Sequence, residues 1–297
     1  MTEWASKFEP RALEGLRCLP QFPDAMRMLA REAASFGAEI DPAGRWLLQD
    51  IGRGAIYMAA LILNGLAVTV PRTLPGGLTA ATLVRASMAN GTASRGRVED
   101  FVLYALNARE MSLAPGPLHW TQRPLTLLAP FTGRMRRRAR IDTAAVARLD
   151  PDLAPLLPRL EEERFFNAFW LWTGVIADAQ PSVTRGPPSP TMVFLERRSG
   201  MNILFHVIAD QEQGPLAQEG PLDRAAFPRL YAVSHTHVGR MLRDAEQRGL
   251  MAFPAPGRVR VLAPLAEDLA ATYSLTLQIV CSALRAAAQM TGVALEI

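Results

Sequence analysis

Apolar positions recur along this chain with helical period, most cleanly between Ser234 and Gly249. Val238, Met241, Leu242 and Ala245 stand at i, i+3, i+4 and i+7, which puts them on one face of a helix. The other face carries His235, Thr236, His237, Arg240 and Arg243. Ser234 sits where a side-chain oxygen can accept the free amides of a helix start, and Gly249 where a helix ends in a left-handed residue. Two short apolar runs follow, Leu250–Phe253 and Val259–Ala263, around the turn Pro254-Ala255-Pro256-Gly257. The pattern of Leu222–Pro264 predicts helix, capped turn, second helix and β-hairpin.

The same pattern occurs earlier. Ser94, Val98, Phe101, Val102, Ala105 and Met111 match Ser234, Val238, Met241, Leu242, Ala245 and Met251, each 140 positions on. Leu128-Ala129-Pro130 matches Leu262-Ala263-Pro264 at an offset of 134, and the segment around Gly54 resembles that around Gly200 at 146. Offsets hold within elements and drift between them, as insertions in loops would make them. Ordered agreement of this kind predicts two winged helix-turn-helix modules in one chain. The fold class is then mainly α with small β-hairpin wings (α+β). Residues 1–180 hold N-terminal helices, the first module (core 45–149) and connecting helices. Residues 181–297 hold the second module and a long C-terminal helix over Leu265–Ala288.

Other segments fill the frame. Asp24–Phe36 reads as an amphipathic helix, and Leu78–Ala89 as a helix capped by Thr79. Ala55–Val70 reads as a buried helix leading into a strand; it is too short for a membrane span and contains Asn64-Gly65. Ile141–Leu149 and Leu156–Ala179 read as two helices, the second bearing Phe165, Phe166, Phe169, Trp170 and Trp172. Aromatics at helical spacing usually form core; Phe166, Phe169 and Trp170 are also candidates for the wall of a ligand pocket. Gln180–Pro190 reads as a proline-rich linker. Pro228, inside the first helix of the second motif, should kink or shorten it.

Composition narrows the function classes. The 297 residues are 49% hydrophobic and 20% charged, which is globular rather than disordered. A net charge of +4 favours an anionic partner without requiring one. Lys7 is the sole lysine, so the positive charge is arginine, which grips phosphate bidentately but also reflects GC-rich coding. Cys18 and Cys281 fit no metal-ligand spacing, and a reducing compartment suits them. The start of the chain has no apolar signal core, so a cytoplasmic protein without a membrane segment is expected. No phosphate-binding, dinucleotide, nucleophile-elbow or zinc-protease motif occurs, and neither an enzyme nor a cofactor is expected. The His235-x-His237 pair points its rings to different faces of a helix, which speaks against a metal.

Arg258-Val259-Arg260-Val261-Leu262-Ala263-Pro264 ahead of a helix resembles the wing and exit of bacterial MarR-type winged-helix regulators. Val233-Ser234-His235-Thr236-His237-Val238 resembles the start of their recognition helix. Those regulators are single modules that homodimerise through terminal helices and read palindromic sites. The resemblance implies two fused modules forming an intramolecular pseudo-dimer, either monomeric or further paired as a homodimer. The acidic residue often found before the wing arginine is replaced here by Ala255-Pro256-Gly257.

The expected partner is double-stranded DNA. With Ser234 at the helix start counted among the DNA-binding residues, His235, Thr236, His237 and Arg240 are placed to meet bases, and Arg243, Arg258 and Arg260 to meet phosphates. In the first copy Ser94, Arg95 and Arg97 take the corresponding positions, with Arg123 in a wing six residues longer (111 to 128 against 251 to 262). Glu99 and Asp100 stand where Gly239 and Arg240 do, so unequal modules are expected. The run Arg134 to Arg140 reads equally as a solvated face or a phosphate contact. Two functions remain open: a transcriptional regulator answering to a small aromatic or acidic effector, and a protein-interaction scaffold that has lost DNA binding.

Overall fold

Five helix starts among the described residues are fixed by side-chain oxygens. The computed structural model describes residues 15–74, 76–179, 189–211, 216 and 219–294. Past a short helical stretch at residues 15–17 come α1 (Phe22–Glu39), α2 (Pro42–Leu47) and α3 (Ile51–Thr69). Asp41 accepts the Gly44 amide at 2.9 Å to cap α2, and Asp50 accepts the Arg53 amide at 3.0 Å to cap α3. Next come α4 (Ala80–Ala89), α5 (Arg95–Asn107), the hairpin β1 (Met111–Leu113) and β2 (Leu125–Leu127), and α6 (Ala129–Leu149). Thr79 and Thr82 form a reciprocal capping box at α4. After two 3-10 turns lies α7 (Glu163–Ala179). The remainder is α8 (Met192–Leu195), α9 (Gly200–Ala209), β3 (Glu219–Pro221), α10 (Ala226–Tyr231), α11 (His235–Gln247), β4 (Met251–Ala252), β5 (Arg258–Val261) and α12 (Ala263–Thr291). The protein is mainly helical with two small antiparallel sheets.

Helix, turn, helix, hairpin and long helix occur twice, and the details correspond. Both α5 and α11 have 13 residues, capped by Ser94 and Ser234 through the amides three residues on. Val98, Phe101, Val102 and Ala105 are buried, as are Val238, Met241, Leu242 and Ala245. Past each helix the chain turns through a left-handed residue, Arg109 at φ 56° and Gly249 at φ 67°. The Glu110 amide then returns to the Ala105 carbonyl, and the Leu250 amide to the Ala245 carbonyl, at 2.8 and 2.9 Å. Met111 pairs with Leu127 and Met251 with Val261. Each long helix starts Ala-Pro, where proline loses no helix hydrogen bond.

Two compact units hold the helix-turn-helix and hairpin of each copy, and neither unit is consecutive in the chain. The N-unit gathers Ile40–Arg140, Asp152–Ala179 and Cys281–Ile297. The C-unit gathers Met1–Glu39, Ile141–Pro151 and Gln180–Val280. A division at 180/181 therefore does not follow the compact units. The reason is where apolar helix faces find cover. In the N-unit α3 packs along α7, and Gly65 lets the helices close: an added Cβ would lie 2.5 Å from the Asn167 carbonyl oxygen. Asn64 Nδ2 donates to Asn167 Oδ1 at 3.0 Å across the same seam. In the C-unit α1 packs along α9, with Gly37 against the Asn202 side chain. So α1 precedes the first copy but belongs with the second, and α7 precedes the second but belongs with the first.

Several elements differ from expectation. The strand expected at the end of Ala55–Val70 does not form, because α3 continues to Thr69. Among the described residues it is the one helix long and apolar enough to cross a membrane. The arginine run lies inside α6, which continues unbroken through Ile141–Leu149. The start expected for α7, from Leu156, instead falls in the 3-10 turns Pro151–Leu156 and Pro158–Glu161. Pro228 is the third residue of α10, where its missing N–H has no helical acceptor to lose, and the helix is short at six residues. The glycine match is not an equivalence of position. Gly200 opens α9 with its Cα against the Phe194 carbonyl, whereas Gly54 lies one turn inside α3 with open space beside it. Of the expected linker, Gln180 and the eight residues after it up to Pro188 lie outside the described residues.

Candidate nucleic-acid interface

The amphipathic pattern that buries one face of α11 leaves the other to solvent. Ser234, His235, Thr236, Arg240 and Arg243 are exposed on it. Ser234 Oγ is occupied by the His237 amide at 3.1 Å, so its task is to hold the helix start. His237 is half-buried, and its Nε2–H donates to the Arg198 carbonyl at 3.1 Å, which ties the ring to the preceding loop. Arg243 Nε donates to the Gly239 carbonyl at 3.2 Å and leaves its outer nitrogens exposed. Arg240 is exposed and has no ion-pair or hydrogen-bond partner among the described residues. His235, Thr236, Arg240 and Arg243 thus form one polar, cationic helix face at a capped N-terminus.

The hairpin beside α11 is built differently from expectation. Strand β3 joins it, giving the order β3-β5-β4, with Glu219 opposite Arg260 and Pro221 opposite Arg258. Glu219 accepts from Arg258 Nε and Arg260 Nη2, both at 2.9 Å. Hydrogen bonds from the two guanidinium groups hold its carboxyl below the ordinary glutamate range. Both wing arginines are therefore held by Glu219. Sequence reading missed Glu219 because it lies 39 positions before Arg258, outside any local motif, and only strand pairing brings them together.

The first copy presents another face. Arg95 Nε is bound to Glu99 Oε1 at 2.8 Å one turn along the helix, and that bond raises the guanidinium's affinity for its proton. Arg97 forms an ion pair with Asp50, the cap of α3. Ser94 caps α5 at 3.4 Å. Arg123 Nε donates to the Ala114 carbonyl at 2.6 Å and closes the longer wing on itself. Tyr104 of α5 stacks on Trp46 at 3.8 Å, and the Arg53 guanidinium covers the same indole. What stays exposed includes Asp100 and Leu103, the latter 45% accessible.

The arginine run of α6 is largely spent within the N-unit. Arg134 reaches Asp41 at 2.6 Å and pairs with the buried Glu110. Burial opposes the charge on Arg134, but the neighbouring Tyr57, Glu110 and Asp41 more than offset it. Arg136 donates to the Leu160 carbonyl and lies over the Phe166 ring, where burial lowers its affinity for a proton. Arg140 pairs with Glu161 at 3.1 Å.

The pocket candidates Phe166, Phe169 and Trp170 are 1%, 1% and 3% exposed. Edge-to-face packing joins Trp170 to Phe169 at 5.1 Å and to Phe166 at 6.2 Å. They form the core that α7 presents within the N-unit, as helical spacing of aromatics usually implies. No cluster of three metal-ligating side chains occurs among the described residues. Comparison with protein-family models, curated proteins and solved structures found nothing that matches this chain.

Proposed function

We propose that this protein is a DNA-binding transcriptional regulator of MarR-like build. In this reading two winged helix-turn-helix modules form an intramolecular pseudo-dimer in the cytoplasm, and α11 enters the major groove of duplex DNA. The observation that carries it is the exposed face of α11. Four polar or cationic side chains project from a serine-capped helix start, in the position from which a recognition helix reads base edges. The matching caps, buried positions and hairpin registers of the two copies support the tandem arrangement, and so does the way each unit takes in a helix from ahead of the other copy. His235, Thr236 and Arg240 are the base-reading candidates, and Arg243 is the phosphate contact. Arg258 and Arg260 join them to the extent that Glu219 releases them. Binding would answer to a small aromatic or acidic effector.

The N-unit face favours a second reading for that half of the molecule. With Arg95 and Arg97 paired and Asp100 and Leu103 exposed, α5 suits contact with protein better than with phosphate. Extended to the whole chain, this is the scaffold reading, with no DNA bound.

Duplex selected by the protein from a random-sequence pool, followed by fluorescence anisotropy, separates the two. The regulator reading expects selection of a preferred sequence, and Arg240→Ala should cost about 1–3 kcal/mol of binding if it contacts a base. Failure to retain any duplex at low salt, or unchanged binding in both Arg240→Ala and Arg243→Ala, would favour the scaffold.

A further inference from the structure

The C-unit contains a cleft of about 340 Å³ lined by Asp24, Arg27, Met28, Arg31, Arg148 and Gln211. Arg27 and Arg31 are one helical turn apart on α1 and so share a face. Arg148 comes from the last turn of α6. Asp24 is ion-paired with Arg27, so three guanidinium groups against one carboxylate leave the lining at +2 (3 − 1). Gln211, just past the end of α9, is 7% exposed, and among the described residues neither its amide oxygen nor its amide nitrogen has a hydrogen-bond partner. An amide buried with both ends unpaired is unfavourable in an empty protein and rare in native ones. It becomes favourable when a ligand supplies one acceptor and one donor.

We propose that this cleft is a binding site for a small dianion of carboxylate or phosphate chemistry that also carries a hydroxyl or amine. Arg31 and Arg148, both exposed, receive the anionic groups through paired N–H donors. Arg27 adds charge from the wall. Gln211 donates from its amide nitrogen to a ligand oxygen and accepts the ligand's hydroxyl or amine proton at its carbonyl. The Met28 side chain gives an apolar surface for a short carbon skeleton. The site specifies the acidic effector of the regulator reading. Its consequence for DNA rests on that reading, whereas ligand binding itself does not.

Calorimetric titration of the full chain without DNA tests the site, using malate and inorganic phosphate in separate experiments. One site per chain is expected for at least one probe, and which probe binds identifies the carboxylate or the phosphate source. Arg31→Ala and Arg148→Ala should each weaken binding about tenfold or more, the loss expected for a charged hydrogen bond. Gln211→Leu should weaken binding while raising the melting temperature of the free protein, because the unpaired amide is gone. No binding of either probe at about 1 mM, or full binding by Arg148→Ala, overturns the site. Ligand bound with no change in duplex affinity keeps the site and overturns its role as effector site. Ligand bound by a protein that retains no duplex keeps the site and overturns the regulator reading.

Discussion

The helices α5 and α11 have the same length, the same serine cap, the same four buried positions and the same backbone exit, yet their exposed faces share almost nothing. At positions 140 apart, Arg95 corresponds to His235, Glu99 to Gly239, Asp100 to Arg240 and Leu103 to Arg243. The half of each helix whose pattern is shared is the half that touches the protein, where a change of volume or a lost cap costs stability. The divergent half touches solvent, where most substitutions change stability little. Shared geometry therefore says that both helices are held in the same way, and nothing about whether both read DNA. Charge pairing widens the difference. The first face has its arginines tied to Glu99 and Asp50, while the second leaves Arg240 without a partner among the described residues.

The comparison can be broken at its buried half first. Phe101→Ala and Met241→Ala should each lose about 2–5 kcal/mol in denaturant unfolding, because both remove fully buried side chains from equivalent positions. A large loss for one and almost none for the other would mean that the two interiors are not equivalent. The helix exits give a smaller, opposite pair. Arg109→Gly should stabilise and Gly249→Ala destabilise, each by about 1–2 kcal/mol, since both residues sit at positive φ. If both substitutions move stability the same way, the two exits are held by different contacts.

The exposed half can be exchanged. Introducing Asp100→Arg and Leu103→Arg copies the cationic pattern of α11 onto α5. Duplex binding should strengthen, with a slope of log K against log salt steeper by about 0.9 for each phosphate newly met. An unchanged slope would mean that α5 cannot approach DNA whatever it carries. The smallest effect is expected from Glu219→Gln, which removes the charge clamping Arg258 and Arg260. Duplex affinity should rise modestly at neutral pH. The folded carboxyl has its pKa depressed below 4.5, so the clamp is complete above that value and is lost only as pH falls through the lowered one. Wild type and variant should accordingly converge in acid and differ at pH 7.

Much of the fold was legible because it depends on local rules. Ser94, Thr79 and Ser234 cap the helices assigned to them, and the four-residue apolar patterns of α5 and α11 are the buried ones. The hairpin at Pro254-Ala255-Pro256-Gly257 follows from turn chemistry. What was not legible depends on partners distant in sequence. Nothing near Phe22–Glu39 says that its apolar face belongs against Gly200–Ala209. The clamp of Glu219 on the wing arginines needs the β3–β5 register, and the pairing of Arg97 with Asp50 joins residues 47 positions apart. The arginines of α6 looked free in a one-dimensional reading; Glu110, Asp41 and Glu161, which engage Arg134 and Arg140, come from three other segments.

The central claim is that α11 is a reader of duplex DNA, and the salt dependence of duplex affinity tests it most directly. For the wild-type protein log K should fall linearly with log salt at about −0.9 per phosphate engaged, and the Arg240→Ala, Arg243→Ala double variant should flatten that line. A wild-type affinity indifferent to salt, or a double variant with the wild-type slope and affinity, would contradict it.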